Sequence, residues 1–228
     1  MRILPTITTI TPGAWREKIK EVQKLKLKEI ALFPTCLNQA ERKALYQLLK
    51  ETNIKSIPLV HLRSDMEEGE LAYLIKNYQT KVFNTHTWRE YSISANWAKY
   101  QNLIYIENTH QRLDEEEIKK FAGVCLDFSH LENDRLLHQD IYEHDIKLIQ
   151  RYPLGCGHIS AIKTAPVSDR KSKLGYDSHD FENLSEFEYL KRYPLKYFPE
   201  LIAVELENSL EDQLKAKEYI IKLLNIKK

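Results

Sequence analysis

Side chains that can hold a cation or move a proton recur just after short apolar runs in this chain. The sharpest case is Gly123-Val124-Cys125-Leu126-Asp127-Phe128-Ser129-His130, where small and apolar residues stop at a carboxylate and an imidazole follows three residues on. Alternation along a strand puts Gly123, Cys125 and Asp127 on one face and Val124 and Leu126 on the other. Small inward residues suit a barrel interior, branched outward ones pack under helices, and the strand end delivers acid and base to the open mouth. An aspartate after a strand also caps a following helix, so this stretch alone leaves both readings open.

The same arrangement repeats along the chain. His61 follows an apolar run at 57–60, His86 follows 82–84, Glu107 ends 103–106, His158 opens 158–162, and Glu207 follows 201–204. Asp177 and His179 add two ligand types from a polar stretch after His158. Imidazole mixed with carboxylate suits Zn2+, Mn2+ or Fe2+ better than Mg2+ or Ca2+, which prefer oxygen shells. His110, His138 and His144 fall outside the pattern and read as ordinary hydrogen-bonded histidines.

Such scattered residues meet only if the elements between them alternate strand and helix. Strands are predicted at 2–9, 29–33, 57–60, 82–84, 103–106, 123–127, 158–162 and 201–204. Helices are predicted at 15–27, 38–49, 67–78, 91–100, from 114, 136–151, from a Ser185 cap, and from Ser209. Asn38 with Glu41 has the spacing of a capping box. Pro58 is expected at a strand start or a bulge, because it lacks a ladder donor. Residues 163–183 read as a polar, basic loop. Eight such units make an α/β fold, a (β/α)8 TIM barrel over residues 1–228 as one domain; no glycine-rich phosphate loop follows the first strand, which argues against a doubly wound sheet.

With 228 residues and 43% hydrophobic side chains, the chain is an ordinary globular sequence rather than a disordered one. A formal net charge of +1 gives no global attraction to nucleic acid or membrane, although a local patch would suffice for the former. Three cysteines without a C-x-x-C pair point to reduced thiols, and no apolar run reaches the length of a membrane span. A soluble, cytoplasmic protein is expected, with no membrane partner.

Ile106-Glu107-Asn108-Thr109 followed by Cys125-x-Asp127-x-x-His130 resembles the xylose-isomerase-like barrel superfamily, and within it the apurinic endonuclease IV family (AP endonuclease family 2). Asp177-Ser178-His179 is similar to that family's D-R-H motif, Leu206-Glu207-Asn208 to its L-E-T motif, and His158 with Lys163 to its H-x-x-x-x-K pattern. The resemblance implies metals, zinc foremost and Mn2+ or Fe2+ as alternatives, shared among His61, His86, Glu107, Asp127, His130, His158, Asp177, His179 and Glu207. It also implies a nucleic acid or phosphorylated substrate, abasic DNA included. The family's DNA-entering tyrosine, three residues after the first ligand histidine, is here Ser64.

Three functions follow. In a phosphoester hydrolase, the favoured reading, clustered metals activate water and neutralise charge, Glu107 and Glu207 anchor them, and Arg63, Lys163, Arg170, Lys171 and Lys173 hold phosphate oxygens. The run 170–173 reads more readily as a solvated loop, although it lies near the mouth in sequence. In a sugar or sugar-phosphate isomerase or epimerase, one ion sits on Glu107, Asp127, His158 and Glu207, and the two glutamates are acid and base. A binding barrel without catalysis is the third. Glu205, two residues before Glu207, is expected on the same face, paired with Arg2 or turned out by a bulge.

Overall fold

The computed structural model describes residues 1–92, 96–168 and 174–226. In chain order its elements are β1 (Arg2–Leu4), β2 (Thr6–Thr8), α1 (Trp15–Leu25), β3 (Ala31–Phe33), α2 (Gln39–Lys50), β4 (Leu59–His61), α3 (Glu68–Tyr78), β5 (Val82–Thr85), β6 (Ile104–Glu107) and α4 (Glu115–Ile118). There follow β7 (Gly123–Asp127), α5 (Phe128–Leu137), α6 (Gln139–Ile149), β8 (Leu154–Ile159), β9 (Ala161–Ser168), β10 (Leu174–Ser178), β11 (Leu201–Val204) and α7 (Leu210–Leu223).

The parallel sheet runs β1-β11-β8-β7-β6-β5-β4-β3-β2. Its two ends, β1 and β2, are halves of one strand separated by Pro5. β1 pairs with β11 and β2 with β3, so the chain itself joins the sheet's edges and eight staves close into a TIM barrel. Pro5 has no amide hydrogen for the ladder, but its carbonyl accepts from Ala31 N at 2.9 Å. Leu4, Ala31, Phe33, Leu59, Cys125, Cys156, Leu201 and Ala203 fill the barrel axis. Outward residues such as Val60, Val124, Leu126 and Ile202 pack under the helices.

The paired register of the first and last staves stops at Leu4 and Ala203, and a side chain takes over. Fully buried Gln213, on α7, accepts from Thr6 N at 2.7 Å through Oε1 and donates through Nε2 to Leu206 O at 2.8 Å and Thr6 O at 3.1 Å. Gln213→Leu leaves the buried Thr6 amide without an acceptor, a loss of about 2–3 kcal/mol. A urea titration should show that drop, and an unchanged midpoint would mean the seam closes without Gln213.

Several predicted elements differ from those observed. The loop expected at 163–183 carries an antiparallel hairpin, β9 with β10, bulged between Gly175 and Asp177. In place of a helix at 91–100, the described residues show a 3-10 turn at Ala98–Leu103. The helix expected at 136–151 is interrupted at His138 (φ −135°, ψ 63°), and α5 starts earlier because Asp127 caps it. Ser185 is not a cap: Asn183 Oδ1 accepts from Ser185 N and opens a 3-10 helix at Leu184–Arg192. The capping box of Asn38 and Glu41 and the Ser209 cap form as expected.

Candidate metal centre

The mouth of the barrel gathers ligand-type atoms into groups whose members lie within 4.8 Å of one another. The deepest comprises Glu107 from β6, Asp127 from β7, His158 from β8 and Glu205 just past β11. His158 Nδ1 stands 3.4 Å from Glu107 Oε1, 3.4 Å from Glu205 Oε2 and 3.8 Å from Asp127 Oδ2. Each of these four atoms is buried without a hydrogen-bond partner. Three carboxylates around one imidazole hold more negative charge than a buried site tolerates, and a divalent cation is what such a donor set fits.

The other atoms of these side chains are committed elsewhere, which fixes how they point. Asp127 Oδ1 accepts from His130 N at 2.8 Å and from Ser129 Oγ at 2.5 Å, capping α5, while Oδ2 faces the group; cap and ligand are two oxygens of one carboxylate. Asn108 clamps the same residue's main chain, accepting from Asp127 N at 2.8 Å and donating to Asp127 O at 2.9 Å. His158 Nε2 meets Cys125 Sγ at 3.5 Å. Asn84 Nδ2 donates to Glu107 Oε2 at 2.6 Å. Phe33 packs beneath, its ring centroid 4.6 Å from that of His158 and 5.4 Å from that of His61.

Electrostatics follow from this crowding. Burial opposes ionisation of Glu107, yet the facing imidazoles of His158, His61 and His86 hold its carboxyl well below the usual range. Burial likewise opposes Glu205, and His179 with His158 still brings it down to about 2. Burial lifts Asp127 above the ordinary aspartate value, against the pull of His130 and His158. His158 is raised well above the ordinary imidazole value: burial works against the proton, and Glu107 and Glu205 overcome it.

A second group shares Glu107 with His61 and His86. His61 Nδ1 donates to Leu62 O at 3.0 Å, so its Nε2, 2.9 Å from Glu107 Oε2, is the nitrogen left for a shared cation. His86 Nε2 lies 3.8 Å from Glu107 Oε1, and burial lowers the pKa of its ring. A third group is His110, His130 and Asp177.

The last stave corrects the sequence reading. Glu205, not Glu207, joins the four-residue group, because β11 ends at Val204 and Leu206 N bonds back to Val204 O at 3.1 Å. That tight turn centred on Glu205 breaks the alternation that would have put 205 and 207 on one face. Glu207 is carried away, its Oε1 accepting from Thr11 N at 2.6 Å. Arg2, the expected partner of Glu205, pairs instead with Glu29 at 3.4 Å. His179 belongs to none of the groups among the described residues; its Nδ1 donates to Glu205 O at 3.2 Å. Of the proposed phosphate-holding cations, Arg63 pairs with Asp65 at 3.1 Å and Lys163 with Glu186 at 2.9 Å. Arg170, Lys171 and Lys173 lie outside the described residues.

No helix among the described residues is long and apolar enough to cross a membrane. Neither a protein-family profile nor a curated protein matches the chain. Among solved structures it is similar to a xylose isomerase domain protein from Alicyclobacillus acidocaldarius, at 14% identity over 98% of this chain and 99% of that one, with a TM-score of 0.48. A probable 3-DHS dehydratase involved in petrobactin synthesis in Bacillus anthracis follows at 11% identity, 96% and 97% coverage and a TM-score of 0.46. A xylose isomerase domain protein from Planctomyces limnophilus stands at 13%, 98% and 94%, and 0.44. Likeness at this level concerns the fold alone.

Proposed function

We propose that the chain is a divalent-metal-dependent isomerase or epimerase of a sugar or sugar phosphate, with Glu107 and Glu205 as its acid and base. The observation that carries this is the convergence of four buried, unpartnered atoms from Glu107, Asp127, His158 and Glu205 on four successive staves. A bound Mn2+, Zn2+ or Fe2+ would supply Lewis acidity toward a carbonyl and its neighbouring hydroxyl. The two glutamates come from the outer pair of those staves, β6 and the end of β11, and flank Asp127 and His158. One carboxylate removes the proton from the carbon beside the carbonyl, and the other returns a proton on the opposite side. Asp127 is unsuited to that task, since its second oxygen is held in the first turn of α5. Asn84 fixes the Glu107 carboxylate, and the Phe33 ring packs against His158.

A phosphoester hydrolase, acting on a phosphorylated small molecule or a nucleic acid, is the second reading. His61, His86 and Glu107 favour it, because a second ion sharing Glu107 would make the adjacent pair such chemistry uses. Against it, Arg63 and Lys163 are each neutralised by a carboxylate. The test is proton exchange. Protein reloaded with Mn2+ and incubated in D2O with a panel of ketoses and ketose phosphates should place deuterium at the carbon beside the carbonyl, read by NMR. Cleavage of bis(4-nitrophenyl) phosphate or an abasic duplex with no exchange on any sugar would transfer the assignment to the hydrolase.

A further inference from the structure

The ring of His158 offers its two nitrogens to different surroundings. Nδ1 faces Glu107, Glu205 and Asp127 at 3.4, 3.4 and 3.8 Å. Nε2, on the other edge of the ring, lies 3.5 Å from Cys125 Sγ. The two residues stand on neighbouring staves, β7 and β8, where Asp127 is in register with His158 and Cys125 with Cys156. Cys125 comes two residues before Asp127, so the strand turns its thiol inward, one layer below that carboxylate. We propose that Cys125 is the positioning residue of His158: its sulfur accepts from Nε2–H, which fixes the ring and leaves Nδ1 as the ligand nitrogen. This role rests on the divalent ion proposed for Glu107, Asp127, His158 and Glu205.

A histidine that holds a cation through one nitrogen donates through the other, ordinarily to a carboxylate, a carbonyl or water. Among the described residues, the carboxylates paired with this ring all stand at Nδ1. Sγ is then the acceptor for Nε2–H, and both residues are fully buried, so bulk water does not compete. Phe33 restrains the face of the ring, with centroids 4.6 Å apart, and Cys125 restrains its edge. Glu107, Cys125 and His158 also form a group of potential ligands. One ion cannot take the thiol and the Nδ1 side together, because the two nitrogens of an imidazole point away from each other. Sulfur is a weak acceptor, so it orients the ring while adding less basicity to Nδ1 than a carboxylate would.

Chelator-stripped protein titrated with Co2+ tests this. Wild type should show the visible bands of bound Co2+ without the near-ultraviolet thiolate-to-cobalt band that a sulfur ligand produces. In Cys125→Ala, one class of bound Co2+ should weaken by about 10–100-fold in competition with a chelator. Cys125→Ser, whose hydroxyl also accepts, should bind as tightly as wild type or more tightly. Cys156→Ala, at the same level of the barrel, should stay close to wild type, which separates lost volume from a lost acceptor. Nitrogen-15 spectra of Zn2+-loaded wild type, assigned by loss of signals in His158→Gln, should show His158 protonated at Nε2 and metal-bound at Nδ1. A thiolate band that vanishes in Cys125→Ala, the reverse nitrogen assignment, or equal affinity in Cys125→Ala and wild type overturns the proposal. So does a matching loss in Cys156→Ala. Wild type that binds no Co2+ removes the four-residue centre, and the role of Cys125 with it.

Discussion

Glu205→Gln is expected to lower sugar proton exchange by about 10²–10⁴-fold, the range of general acid–base catalysis, while Glu207→Gln leaves it unchanged. Glutamine keeps the shape of the side chain but loses the charge that faces His158 Nδ1 and the basicity that moves a proton. Its amide would also bring a donor toward a group whose other members, His158 Nδ1 apart, offer carboxylate oxygens. Glu207 differs although only one residue separates the two. Its Oε1 accepts from Thr11 N, a bond that a glutamine oxygen reproduces. Deuterium incorporation and metal content in the two variants, side by side, check this. Loss of metal and exchange in Glu207→Gln with Glu205→Gln intact would assign the ligand and the base to Glu207 instead.

Gly123→Ala should destabilise the fold by about 3 kcal/mol or more, a fall of roughly 6–12 °C in Tm. Gly123 opens β7 at φ +142°, a region closed to side chains, and a Cβ there would sit 2.2 Å from Pro153 O. That carbonyl cannot easily retreat, since it accepts from Val124 N at 2.9 Å. The strain also lies four residues before Asp127, so the surviving fold should bind metal more weakly. Gly13→Ala is the comparison. It too has positive φ (+78°), but nothing lies within 4 Å of an added Cβ, so only the backbone cost of about 1–2 kcal/mol applies. Equal melting temperatures for the two variants would show that the Pro153 contact relaxes freely.

The barrel was legible because its staves are short apolar runs ended by polar residues, a pattern that survives without knowledge of tertiary contacts. Five residues at the mouth stood out in the sequence: His61, His86, Glu107 and Asp127 follow or end such a run, and His158 opens one. Two kinds of residue did not. Glu205 depended on where β11 stops, and the alternation rule holds only while the strand continues. His110 lies three residues beyond Glu107, past the end of β6, and its place opposite Asp177 is set by the hairpin that residues 163–183 were not expected to form. The β-branched Ile162, Thr164 and Val167 were the available sign of that hairpin, masked by the polar and basic residues around them. Arg63 and Lys163 failed for a different reason, since a sequence does not show which carboxylate a cation will meet.

Closure through Pro5 and Gln213 also bears on the order in which the barrel is made. The bond between Thr6 N and Gln213 joins residues 207 apart, and Gln213 follows β11, so it comes after all the staves have been made. Until then the growing sheet has two raw edges, β2's half-strand at one side and the latest stave at the other, and open edges invite pairing with other chains. β1 has no partner until β11 emerges, and β2 reaches β3 early. Pro5 therefore divides one strand between the first pairing to form and the last.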